Sequence, residues 1–225
     1  MTDMSICRDT TMSRLISTPS RSRILVVWDV DRTLTRSDTL VPFLWAVTGG
    51  SGWTAALPRI VRDLLQNREA AKGFRTELKD SLLRHALAER RCTDVEAVAQ
   101  AFAEELLADR CRPDALARWE WHRDHGDALV LASASLAMYL RPFGALLGAD
   151  YVLATELATS RGRLTGARST ANCRGAEKAR RVADLITATR PDSVWVYTDS
   201  RSDRPSLALA DVKTVVRPAH RLHAP

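Results

Sequence analysis

The chain has 225 residues, 45% of them hydrophobic and 27% charged, which are ordinary values for a globular protein and exclude a disordered chain, a fibre and a disulfide scaffold. That length holds one sizeable core, or one core with a smaller inserted unit, but not two independent full-size domains. The net charge of +6 comes from arginines spread along the whole chain without a basic block, which reads as a solvated surface and speaks against a nucleic-acid partner.

Cys7, Cys92, Cys111 and Cys173 form no CxxC pair, so neither a zinc site nor a redox motif is suggested, and reduced thiols in a cytoplasmic protein are expected. Residues 1–23 are polar, lack an apolar stretch of signal-peptide length and read as a flexible tail, with Met12 as an alternative start. Nowhere does the sequence hold the run of about eighteen apolar residues that a spanning helix needs.

In chain order, Ile24-Leu25-Val26-Val27-Trp28 is a continuous apolar, β-branched run of the kind buried on both faces of a parallel sheet. It leads directly into Asp29. Residues 38–110 then read as helices only, with apolar positions three and four apart along Phe74–Leu87 and Val95–Leu107. Gly49-Gly50-Ser51-Gly52 and Pro58 punctuate this stretch. A helix is predicted over Pro113–His125, a strand over Ala128–Ala132 ending at Ser133, and a helix over Leu136–Leu147 closed by Gly148. Glu177–Thr189 is predicted helical, Ser193–Tyr197 a strand ending just before Asp199, and Val212–Val216 a last strand. Trp119-Glu-Trp121-His122 reads as packing, with His122 exposed. Strands alternating with helices define an α/β, doubly wound parallel sheet. Its core is expected over 24–37 and 111–225, with an inserted helical cap over 38–110.

Ligands of an open parallel sheet sit beyond the carboxyl ends of its strands, so polar residues that follow separate strands can converge on one crevice. Asp29, Asp31 and Thr33 follow the first strand, Ser133 the second, and Asp199 and Asp203 a later one; Lys178 lies in the first turn of a helix. A carboxylate such as Asp29 can attack phosphorus while a neighbouring acid, Asp31, protonates the leaving oxygen and then deprotonates water. The Asp-Val-Asp pair alone serves equally well as a turn former or cap. A calcium loop is ruled out, because its sixth and twelfth positions would be Leu34 and Leu40 instead of Gly and Glu. Ser133 can cap the helix that follows, although Ser135 is better placed for it. Asp199 and Asp203 suit a hard cation that keeps most of its waters, and Asp203 is also placed to cap a helix.

Taken in order, Asp29-Val-Asp31-Arg-Thr33, Ser133, Lys178 and Asp199-Ser-Arg-Ser-Asp203 resemble the four motifs of haloacid dehalogenase superfamily phosphatases, in the branch that includes phosphoserine phosphatase. The likeness runs from Ile24 to about Pro218. Thr35-Arg-Ser-Asp38-Thr-Leu, Ala154-Thr155-Glu156-Leu with Gly162-Arg163-Leu164-Thr165-Gly166, and Asn172-Cys173-Arg174-Gly175-Ala-Glu177-Lys178 are similar to the subgroup that includes phosphatidylglycerophosphatase C. The resemblance implies a Rossmann-like core with a helical cap and a Mg²⁺-dependent phosphomonoester hydrolase working through an aspartyl-phosphate. Asp29 would be the nucleophile and Asp31 the acid/base. Thr33, Ser133 and Lys178 would bind phosphate, and Asp29, Asp31 and Asp199 would hold Mg²⁺ with support from Asp203. Asp31 argues against dehalogenation, since the name-giving dehalogenases lack an acid there. Three residues depart from the pattern: Arg32 where a small residue is usual, Trp28 for Phe, and Thr198 for Gly.

The cap would close over the crevice and present the side chains that select the substrate, with Asp38, Arg59, Arg62 and Lys72 as candidates. The expected partner is a small phosphorylated metabolite. Leu40–Val47 and Trp53–Val61 also offer an apolar, aromatic stretch for peripheral membrane contact, which makes a lipid phosphate the alternative substrate. A non-catalytic phosphate-binding regulator is the third reading, and the presence of both Asp29 and Asp31 disfavours it.

Overall fold

A computed structural model describes residues 24–66, 74–217 and 222; the N-terminal tail and Lys72 lie outside these. Strand β1 (Ile24–Trp28) is followed by helices α1 (Leu40–Gln66), α2 (Phe74–Leu87) and α3 (Cys92–Glu105). The chain then alternates through α4 (Pro113–Asp124), β2 (Ala128–Leu136), α5 (Ala137–Leu147) and β3 (Tyr151–Thr155). A hairpin of β4 (Leu157–Ser160) and β5 (Arg163–Arg168) precedes α6 (Ala176–Thr189), β6 (Ser193–Thr198), the short α7 (Arg204–Leu207) and β7 (Val212–Val215).

β1 is the middle strand of a five-stranded sheet of order β3-β2-β1-β6-β7, and every neighbouring pair is parallel. This is the predicted doubly wound α/β sheet. Its central strand is apolar throughout because both faces are covered. Val26 and Trp28 enter one layer with Trp119 of α4 and Phe143 of α5, while Leu25 and Val27 enter the other with Val182 and Leu185 of α6. Burial of such side chains contributes roughly 1.5–3 kcal/mol each, so the strand that ends at Asp29 is firmly anchored. Trp28 itself stacks on Tyr197 of β6, with ring centroids 3.9 Å apart and planes 5° from parallel.

Several elements differ from the sequence expectation. β2 does not stop at Ser133 but continues to Leu136, because its pairing with β3 shifts register between Ala132 and Leu136 and then resumes. Ser133-Ala134-Ser135 therefore form an irregular stretch inside a strand, and such bulges re-aim side chains. Leu136, not Ser133 or Ser135, stands at the start of α5, and no side-chain cap is made there. His122 is fully buried, not exposed; its ring joins Asp127 at 2.7 Å and the Tyr197 hydroxyl at 2.9 Å. The Tyr197 partner lies 75 residues away along the chain, so no local pattern announces it.

Neither β3 nor the β4–β5 hairpin stands out in the sequence as a strand. The hairpin fastens the helical insertion to the sheet: Glu89 N–H donates to Leu164 O at 2.8 Å, Cys92 N–H to Gly162 O at 2.9 Å, and Arg168 pairs with Asp80 of α2 at 2.7 Å. Gly166 makes this contact possible. Its φ is +76°, and a Cβ there would fall 2.7 Å from the Arg84 Cα. Gly166→Ala is expected to lower stability by about 1–3 kcal/mol through overpacking and backbone strain, read as a lower Tm; an unchanged Tm would show that α2 and the hairpin yield freely.

Candidate active site

The carboxyl ends of β1, β2 and β6 lie side by side, and the chain changes there from apolar to polar on all three strands. Asp29 leaves β1 with its N–H bound to Tyr197 O at 2.9 Å, which fixes its backbone to β6. The residue is buried, at 8% exposure. Lys178, in the first turn of α6, donates to Asp29 Oδ1 at 2.9 Å and to Asp203 Oδ2 at 2.6 Å. Thr198 Oγ1 also donates to Asp203 Oδ2, at 2.9 Å, so this aspartate binds side chains and does not cap α7. Thr33 accepts the Asp199 N–H at 2.9 Å and leans toward Asp29 Oδ2 at 3.5 Å. That second oxygen of Asp29 is thus the freer one.

Asp31 sits two residues on, where the chain turns through Asp31 and Arg32 in non-helical conformations. Three donors fix its carboxylate: Thr39 N–H and Thr39 Oγ1, each at 2.7 Å to Oδ1, and Ser135 Oγ at 2.7 Å to Oδ2. The buried Tyr139 hydroxyl holds Thr39 Oγ1 at 2.8 Å. Sequence reasoning passed over Thr39, Ser135 and Tyr139 in this role. The spacing Asp31-x7-Thr39 offered a faint signal, but Ser135 and Tyr139 join only through the fold.

Ser133 is buried, and its Oγ accepts the Ser135 N–H at 3.0 Å. Arg32 stands over the mouth with φ +61°, a left-handed conformation that is uncommon for a residue with a side chain. Its guanidinium meets Asp38 at 3.0 Å and lies 3.9 Å from Asp199. Asp29, Thr33, Lys178, Asp199 and Asp203 are therefore brought together at the carboxyl ends of β1 and β6, and Ser133 and Asp31 adjoin them, linked to each other through Ser135. Of the other cap candidates, Arg59 and Arg62 are exposed on α1.

Burial pushes the Asp29 carboxyl up to about 7, with Lys178 opposing the rise and Asp203 and Asp31 adding to it. Burial disfavours the Lys178 charge, but Asp29 and Asp203 together outweigh it and hold the ammonium above its usual value. Burial also raises Asp199, against the pull of Arg32. Asp29 and Asp203 thus share one buried ammonium, the Asp31 charge bears on Asp29 and the Asp203 charge on Asp199, and among the described residues Asp203 Oδ1 is buried without a hydrogen-bond partner. This excess of negative charge and unsatisfied oxygen fits a hard divalent cation. Among the described residues no three His, Cys, Asp or Glu side chains enclose a metal by themselves. Mg²⁺ does not require three, since it is held by one or two carboxylates with waters and substrate oxygens.

The sequence profile of haloacid dehalogenase-like hydrolases matches residues 26–208, and the chain belongs to that family of enzymes. It is similar to the protein CicA of Caulobacter vibrioides (strain NA1000 / CB15N), with 34% identity over 194 residues that cover 84% of each chain. A Bordetella pertussis protein of unknown function shares its fold at TM-score 0.71 and 21% identity, over 86% of this chain and 90% of that one. A phosphoserine phosphatase solved as a phospho-aspartyl intermediate analogue superposes at TM-score 0.59 and 15% identity, over 86% of both chains. At these identities the structures establish a phosphoserine-phosphatase-like fold.

A carboxyl whose value rises on folding, as Asp29 does from 3.8 to about 7, stabilises the fold at acid pH and loses that contribution as pH climbs between the two values. Without divalent cation, Asp29→Asn is accordingly expected to be more stable than the wild type at pH 7.5, by on the order of 1 kcal/mol, with the gain shrinking as pH falls below about 7 and vanishing only toward 3.8. Equal Tm values for the two proteins across that range would contradict the buried ionised site.

Proposed function

We propose that the protein is a Mg²⁺-dependent phosphomonoesterase that forms an aspartyl-phosphate on Asp29 and acts on a small phosphorylated metabolite. The observation that carries this reading is the asymmetry of Asp29, one oxygen locked on Lys178 and the other nearly free, beside an Asp31 whose carboxylate is fixed by three donors.

The free oxygen of Asp29 attacks phosphorus, and the substrate alcohol leaves with a proton from Asp31. Asp31 then takes a proton from water, whose oxygen attacks the phosphorus and releases phosphate, restoring Asp29. Acid/base assistance of this kind is typically worth about 10²–10⁴ in rate. Lys178, Ser133 and Thr33 hold the phosphoryl oxygens, and the fixed Lys178 charge needs no reorganisation as negative charge builds up. Asp29, Asp199 and the main-chain carbonyl of Asp31 would hold Mg²⁺, and Asp203 supports the set through Lys178. Bound there, the cation neutralises the phosphate and the crowded carboxylates.

Helices α1 to α3 form the cap of this reading, with Arg32 and Asp38 at the mouth. A cytoplasmic setting accords with the thiol state of Cys92, Cys111 and Cys173. A lipid phosphate at a membrane surface is the second reading, favoured by Val41, Trp45, Leu57 and Val61, which are exposed on α1. No helix of the described residues is long and apolar enough to cross a membrane. Gly49, at φ +67°, breaks α1, and the exposed Arg59 and Arg62 put charge on the same helix, which favours the metabolite.

Purified protein should hydrolyse a generic aryl phosphate with Mg²⁺ and lose that activity in EDTA. Asp29→Asn should remove all detectable turnover, and full activity in that variant would sink the mechanism. A panel of phosphate esters, assayed with and without anionic vesicles, separates the substrates: turnover of soluble esters supports the metabolite, and turnover of lipid phosphates alone overturns it.

A further inference from the structure

Lys79 projects from α2 in the helical insertion and is buried at 8% exposure. Its ammonium donates to the Ala134 carbonyl at 2.5 Å, to Asn172 Oδ1 at 2.6 Å and to Thr155 Oγ1 at 3.4 Å. All three donors of the ammonium are therefore used, and all three acceptors are neutral. Burial pushes its value down to about 8, with Arg168 adding to the fall and Asp80 and Asp31 opposing it. Among the described residues the ammonium makes no ion pair, a costly arrangement for a buried cation, and its placement calls for a reason other than packing.

The reason lies in the peptide it grips. The carbonyl of Ala134 belongs to the same peptide as the N–H of Ser135, and that N–H donates to Ser133 Oγ at 3.0 Å. The ammonium thus polarises one end of a peptide whose other end fills the acceptor side of the Ser133 hydroxyl. Hydrogen bonds in such a chain strengthen one another in a low-dielectric interior. With one of its two lone pairs engaged, the hydroxyl turns its proton away from the Ser135 N–H and leaves it for another acceptor. The second arm of the ammonium reaches Asn172, while the Thr155 hydroxyl, which accepts the Cys173 N–H at 3.2 Å, offers its one proton to the same two acceptors, Ala134 O at 2.8 Å and Asn172 Oδ1 at 3.1 Å. Asn172 and Cys173 open the segment that delivers Lys178.

We propose that Lys79 is a positioning residue that sets the Ser133 hydroxyl to donate to the phosphoryl group, so that the helical insertion tunes phosphate binding from behind the site. It touches neither substrate nor reacting atoms and acts through the Ala134–Ser135 peptide. This inference rests on the reading of Ser133 as a phosphate ligand.

A double-mutant cycle on the full chain tests it, with Lys79→Met, Ser133→Ala and their combination assayed for aryl phosphate hydrolysis and for inhibition by inorganic phosphate. Lys79→Met alone should raise KM and the phosphate inhibition constant by about tenfold, with a smaller fall in kcat, and should change either constant by less than about twofold once Ser133 is Ala. Equal losses in both backgrounds, or no loss in either, would overturn the role of Lys79. Ser133→Ala without effect would instead remove the phosphate-ligand reading beneath it. Should Lys79→Met fail to fold, Lys79→Gln replaces it in the same cycle: it keeps an N–H donor and should give a smaller loss, again confined to the Ser133 background.

Discussion

Two buried carboxylates, Asp29 and Asp203, share the single ammonium of Lys178 at 2.9 and 2.6 Å. Without that cation the end of β1 and the turn after β6 would repel each other across a space with little water to screen them. With it, the pair is drawn together but left with one negative charge too many. Such a site is stable enough to persist and still attracts positive charge. The rise of Asp29 above the ordinary carboxylate range and the unpartnered Oδ1 of Asp203 are two signs of the same imbalance.

The fold carries this strain because β1 lies between β2 and β6 and is covered on both faces. Its backbone cannot move to relieve the repulsion without exposing Val26, Val27 and Trp28. The parallel arrangement also brings the ends of three strands to one edge of the sheet, so residues more than a hundred positions apart meet there. Ser135 with Asp31 and Lys178 with Asp29 are such pairs. The helical insertion joins through Lys79, and the β4–β5 hairpin ties it down through Arg168 and Asp80.

Much of the fold was legible because its strands are apolar on both faces and end in chemistry: Ile24–Trp28 into Asp29, and Ser193–Thr198 into Asp199. What the sequence hid is non-local. The bulge at Ser133–Ser135 comes from the register shift of β2 on β3, which no pattern within the strand announces. His122 looked like an exposed histidine in a polar helix turn, yet Asp127 and Tyr197 supply both ring partners in the interior. Nothing in the local pattern of α2 singles out Lys79. Its partners, Ala134 and Asn172, lie 55 and 93 residues further on. The hairpin escaped notice because only Leu157 and Leu164 mark its buried side.

In the proposed reaction Asp29 accepts the phosphoryl group. Acid quenching during turnover, reduction of any acyl phosphate with borohydride and peptide mass spectrometry address it directly. Residue 29 alone should be converted to homoserine, in a substrate-dependent manner. Steady turnover with no modified Asp29, or with the phosphoryl group found on another side chain, would contradict it.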